Sequence, residues 1–172
     1  MSKVAIIDTS LLGCWLQIPG LRTAGSEPDL WDFERTESEI RRVIDDGCQL
    51  VFPIATLVET GNHAAKAAHG RREAALRIAE KLSEALHGAK PWTSFSDQFG
   101  TLGFDSLKDV CLKWPDRAAE KVSIGDHLIS SVADYYGRAG FDVEILSSDA
   151  VLRAHVPARA EKIPRRRAIM RR

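Results

Sequence analysis

The sequence predicts an α/β layered domain built on a mainly parallel sheet, and three observations carry that prediction. Short, continuously apolar runs, Val4-Ala5-Ile6-Ile7 and Leu50-Val51-Phe52, read as strands covered on both faces. Segments with apolar residues at helical spacing lie between such runs, the clearest being Leu128, Ile129, Val132, Ala133 and Tyr136. A length of 172 residues, 44% of them apolar and 28% charged, suits one globular domain with its own core. The same composition excludes disordered, collagen-like and disulfide-scaffold classes.

The elements follow in order. Residues 3–8 form the first strand and residues 11–16 a short helix, stopped near Pro19-Gly20. Residues 20–29, with Gly20, Gly25, Ser26 and Pro28, read as loop. A helix then runs to about Asp46, with Thr36 and Glu39 spaced as a capping box, Ile40, Val43 and Ile44 as its inner stripe, and Gly47 as its stop. Residues 49–54 are the second strand, ended by Pro53, which cannot donate to a ladder. Helices are expected over 57–69 and 71–87, the latter with Ala75, Ile78, Ala79, Leu82 and Leu86 on one face. Residues 91–96 read as an edge strand. Residues 97–117 show little pattern beyond a helix near 107–112. A helix over 124–136, a strand over 141–146 and a short helix over 149–154 complete the chain.

No run approaches the ~18 apolar residues of a membrane span. The N-terminus enters a strand pattern directly, without signal-peptide architecture. Cys14, Cys48 and Cys111 form no close pair, so neither a zinc site nor a disulfide framework is indicated, and a reducing cytoplasm fits. The formal net charge is zero, but residues 157–172 carry seven Lys or Arg against one Glu. Residues 1–156 therefore read as an acidic body of net −6, and residues 157–172 as a basic tail of +6.

Ligands of open α/β sheets bind outside the carboxyl ends of the strands. Asp8 follows the first strand, Glu59 lies beyond the second, and Asp149 follows the last by two serines. Asp126 opens the clearest helix and can point at the same rim. Four gathered carboxylates cannot all stay ionised without a compensating charge. A hard divalent cation, Mg²⁺ or Mn²⁺, supplies it and suits phosphodiester hydrolysis, whereas no His-rich or Cys-rich cluster favours zinc. Each acid also has a purely structural reading. Thr56 and Glu59, and Ser123 and Asp126, are spaced as capping boxes, Asp149 as an N-cap, and Asp8 as a turn start.

Four segments together resemble PIN domains. They are Asp8-Thr9-Ser10, Thr56-Leu57-Val58-Glu59-Thr60, Ser123-Ile124-Gly125-Asp126-His127-Leu128-Ile129 and Ile145-Leu146-Ser147-Ser148-Asp149, in the family's order, and the resemblance covers roughly residues 3–156. It implies a three-layer α/β/α fold and a metal-dependent endoribonuclease of the kind found as VapC-type toxins of toxin–antitoxin pairs. It makes Asp8, Glu59, Asp126 and Asp149 the catalytic and metal-binding acids, with Mg²⁺ or Mn²⁺ as cofactor and Ser10 in support. RNA is the implied substrate, an antitoxin protein and a second copy the implied partners. A PIN-fold scaffold that binds RNA or protein without cutting is the alternative. A haloacid-dehalogenase-like phosphatase is disfavoured, because Asp8-Thr9-Ser10 is not a DxD.

The five histidines have no metal-ligand spacing; His127 and Asn62 adjoin proposed site residues. Trp92, Phe95, Phe99, Phe104 and Trp114 read as base-stacking groups or, more commonly, as core or dimer surface. Arg71 and Arg72 read as phosphate contacts or, more commonly, as a solvated helix start.

Overall fold

The computed structural model describes residues 2–159. Three parallel strands, β1 (Lys3–Ile7), β2 (Cys48–Val51) and β3 (Asp142–Leu146), form a sheet in the order β2-β1-β3. The register pairs Lys3 with Cys48 and with Asp142, so all three strands end at the same edge. Alternate β1 residues serve opposite faces, as a pleated strand requires. Ala5 and Ile7 join a core with Leu50 of β2 and with Leu11, Leu12, Ile40, Val43 and Ile78, contributed by α1 (Thr9–Trp15), α2 (Phe33–Asp45) and α4 (Arg71–Leu86). Val4 and Ile6 join a second core with Ile129, Val132, Tyr136 and Ile145, dominated by α6 (Ile124–Arg138). The result is a three-layer α/β/α domain. Helix α3 (Ile54–Lys66) packs against α1, α4 and α6. Among the described residues no helix is long and apolar enough to cross a membrane.

Several boundaries differ from the sequence reading. Strand β2 stops at Val51 because Pro53 is the N-cap of α3, which runs over 54–66 rather than 57–69. Helix α2 is capped by Asp32, whose carboxylate accepts from the Arg35 amide at 2.9 Å. Thr36 lies inside the helix and is fully buried, so it is no cap. The expected edge strand at 91–96 reduces to one bridge, in which Leu50 donates to the Pro91 carbonyl and accepts from Thr93. Trp92 then plugs the core, its ring 5.7 Å from Phe52 and its indole N–H donating to Glu84 at 3.0 Å. A 3-10 helix (Phe95–Leu102) and α5 (Phe104–Ala119) occupy the stretch that showed little pattern. Phe95 is buried, whereas Phe99 and Phe104 face solvent. On α4 the buried side is Ala74, Ile78 and Ala85, while Ala75, Ala79 and Leu86 are exposed. The short helix α7 (Ala150–Arg153) closes the described chain. Most of the basic tail, from residue 160 on, lies outside the described residues.

Candidate active site

Asp8 sits where β1 gives way to α1, at the carboxyl edge of the central strand. Its amide donates to the Leu146 carbonyl at 2.9 Å, which joins the ends of β1 and β3. Its side chain is buried and caps α1. Oδ1 accepts from the Thr9 amide at 2.6 Å, and Oδ2 accepts from the Ser10 and Ser147 hydroxyls, both at 2.8 Å. Burial pushes its pKa up, the three donors pull it back, and the nearby Asp126 charge adds to the rise.

Two serines make this carboxylate the hub of a small network. The Ser10 hydroxyl donates to Asp8 and accepts from the Ser148 amide at 3.0 Å. Ser147, fully buried, donates to Asp8 and accepts from the Asp149 amide at 3.0 Å. The turn after β3 is thereby fastened to the turn after β1. Arg153 braces the same turn from outside, donating to the Ser147 carbonyl at 2.9 Å and to Asp29 at 2.6 Å.

Glu59 lies in the second turn of α3, half-buried, and its Oε2 accepts from the Thr9 hydroxyl at 2.9 Å. The capping reading of Thr56 fails here. Thr56 is fully buried and donates to the Ile7 carbonyl at 2.8 Å, which locks α3 onto the end of β1. The Glu59 carboxylate rests against Gly125 in the first turn of α6. A Cβ there would overlap Oε1 and stand 2.8 Å from the carboxyl carbon. Only glycine admits this approach, and Asp126 is the next residue.

Asp126 and Asp149 keep their capping roles. The Asp126 amide donates to the Ser123 hydroxyl at 3.0 Å, and that hydroxyl donates to Asp126 Oδ2 at 2.8 Å. Asp149 Oδ1 accepts from the Val151 and Leu152 amides at 2.7 and 3.2 Å, capping α7 from an exposed position. Its Oδ2 makes no hydrogen bond among the described residues.

The structure thus links Asp8, Glu59 and Asp126 through Thr9, Gly125 and electrostatic repulsion, and links Asp149 to Asp8 through Ser147. None of the ion pairs among the described residues includes any of the four acids. Among the described residues no three His, Cys, Asp or Glu side chains stand close enough, as placed, to hold an ion. Ligation by three acids therefore requires side-chain rotation. Asp126 and Asp149 can supply it, being partly or fully exposed, while Asp8 is fixed. A hard cation fits this donor set: all-oxygen ligands, one of them buried, and no Lys or Arg paired with them. Thr9, Ser147 and Gly125 are the site residues that sequence reasoning missed. Each lies inside a segment already singled out, beside the acid that drew attention.

Compared with protein families, with curated proteins and with solved structures, the chain finds no match.

Proposed function

We propose that this chain is a divalent-metal-dependent endoribonuclease of the PIN type, hydrolysing RNA phosphodiester bonds. The observation that carries the reading is the unpaired acid rim. A buried carboxylate, Asp8, is held by hydroxyl and amide donors with no basic partner among the described residues; Asp126 is near enough to raise its pKa, and Glu59 shares Thr9 with it. A buried charge left without a counter-charge costs several kcal/mol in general, so a protein retains such a group where a cation or a proton completes it. Asp8, Glu59 and Asp126 would hold Mg²⁺ or Mn²⁺, with Asp149 reaching from the rim. When bound, the ion supplies Lewis-acid stabilisation of the phosphoryl oxygens and activates a water. The chain's own residues do the remaining work. Ser10 and Ser147 orient Asp8, Thr9 orients Glu59, and an acid not engaged with the ion takes the proton from the attacking water. The toxin role in a toxin–antitoxin pair, and a homodimer, belong to this proposal through the sequence resemblance alone.

A non-catalytic scaffold binding RNA or protein is the second reading. On its side stands the looseness of the acid cluster as placed. The two are separated by incubating the purified chain with mixed cellular RNA in Mg²⁺ or Mn²⁺, then in EDTA, then with the metal restored. The nuclease reading expects cleavage that stops in EDTA and resumes on restoration. Cleavage undiminished by EDTA removes the metal mechanism, and intact RNA in every arm favours the scaffold.

A further inference from the structure

Helix α5 is unusual in this fold, because none of its residues is buried. It packs against α6, and the two helices leave between them a cleft of about 330 Å³. The cleft begins at His127, the residue after Asp126, and follows α6 to Arg138. At 1.5 Å per residue the stretch from Asp126 to Arg138 is about 18 Å long. Lys113 and Arg117 line the opposite wall from α5.

The acids of the cleft are already engaged. Asp109 accepts from Lys113 at 2.5 Å, a bond that holds its carboxyl below the usual range. Asp134 accepts from His155 and from the Ala158 amide, each at 2.9 Å. Arg117 pairs with Glu120 on the outer surface, and Arg138 makes no ion pair among the described residues. Exposed pairs such as Lys113–Asp109 are worth about 0–1 kcal/mol, so a phosphate can take the lysine at little cost. The far end of the cleft is flanked by the last described residues. Residues 155–158 are fastened to Asp134, and Gly137 admits Pro157 and Ala158, which a side chain there would displace. The sequence beyond, residues 160–172, holds six Lys or Arg and one Glu.

The geometry points to the α5–α6 cleft as the track for a single-stranded RNA backbone, entering at the acid rim, with Lys113, Arg117 and Arg138 as phosphate-positioning residues. This rests on the nuclease reading for its direction, but the cleft's affinity for RNA is measurable without cleavage. On a body of net negative charge, such a line of cations offers a polyanion's phosphates a counter-charge.

The test is fluorescence anisotropy of a labelled oligouridine in EDTA, over a salt series, on the full chain. The triple variant Lys113→Ala, Arg117→Ala, Arg138→Ala is compared with Arg22→Ala, Arg41→Ala, Lys90→Ala, which removes the same charge elsewhere. The cleft variant should bind at least tenfold more weakly at low salt. Its slope of log affinity against log salt should fall by about 2, at roughly 0.7 per lost phosphate contact on a single strand. The control should keep most of both, and a charge-preserving triple, Lys113→Arg, Arg117→Lys, Arg138→Lys, should restore binding. Equal losses in the cleft and control variants, or no binding by the wild-type chain, overturn the proposal. RNA that binds through the cleft but is never cut in Mn²⁺ keeps the cleft and removes the nuclease reading. Metal-dependent cutting with unchanged affinity in the cleft variant does the reverse.

Discussion

Gly125→Ala separates the site from the fold. The residue stands in the first turn of α6 with ordinary helical backbone, so alanine meets no backbone strain. Alanine favours a helix interior over glycine by about 0.8–1.0 kcal/mol, and by less in a first turn. Against that gain, the new Cβ overlaps Glu59 Oε1 and stands 2.8 Å from its carboxyl carbon. The carboxylate is the free end of a flexible side chain, so it swings away rather than unfolding the helix. Moving it breaks the 2.9 Å bond from Thr9, worth about 0.5–1.5 kcal/mol. The two effects nearly cancel, leaving stability within about 1 kcal/mol and Tm within about 4 °C of wild type. The acid rim, by contrast, loses the one carboxylate that reaches it from α3. Mn²⁺ affinity by calorimetry should fall at least tenfold, about 1.4 kcal/mol, and RNA cleavage should fall with it. A variant with wild-type metal affinity and cleavage would show that Glu59 is not placed for ligation by Gly125. A variant that unfolds would show that the glycine serves packing instead.

Asp8→Asn should raise Tm at pH 7 while abolishing cleavage. Burial raises the folded-state pKa of Asp8 above its unfolded value of 3.8, so the folded protein loses stability as pH rises through that folded pKa. Asparagine carries no such penalty, and its advantage should vanish below the unfolded pKa; a melting series from pH 3 to 7 that shows a less stable variant at neutral pH contradicts the account. Arg153→Met removes the bonds to the Ser147 carbonyl and to Asp29, from a side chain 30% exposed. It should cost about 1 kcal/mol by denaturant titration and lower kcat more than KM, because the turn that orients Asp8 loosens. Trp92→Ala should cost about 3–5 kcal/mol, since the ring is 1% exposed and packed on Phe52 and Trp15. A loss under 1 kcal/mol would mean that the segment after α4 is not part of the core.

What was legible in the sequence follows from what each segment buries. Strand β1 is covered on both faces and β2 nearly so, which makes their apolar runs stand out, while β3 is buried only at Ile145 and Leu146; Pro53 marks the end of β2 within two residues. Helix α6 has a single dense apolar stripe, and its bounds lie within two residues of those the stripe predicts. Helix α5 buries nothing, so no stripe announces it beyond a central fragment. Helix α4 is alanine-rich on several faces, and small residues do not say which face is inside; the buried set is rotated from the expected one. At the candidate site, strand ends and helix starts are what single out the acids. The capping alternative held for Asp126 and Asp149 and failed for Glu59, whose threonine partner is Thr9 on α1 rather than Thr56 on its own helix. Thr9, Ser147 and Gly125 act through contacts between segments about 50 to 140 residues apart, which no local pattern encodes.

The central claim is that the acids at the carboxyl edge of the sheet hold a divalent cation, and Asp126→Asn tests it most directly. Asparagine keeps the shape of the side chain and can still meet the Ser123 hydroxyl, while the charge a hard cation needs is gone. Mn²⁺ is titrated calorimetrically into wild type and variant, with Tm measured on both. The expected result is a binding isotherm for the wild type, its loss or a weakening of at least tenfold in the variant, and Tm values that differ by no more than about 4 °C, the shift that a helix-cap charge worth about 0.3–1 kcal/mol explains. Isotherms that are the same for the two proteins would contradict it.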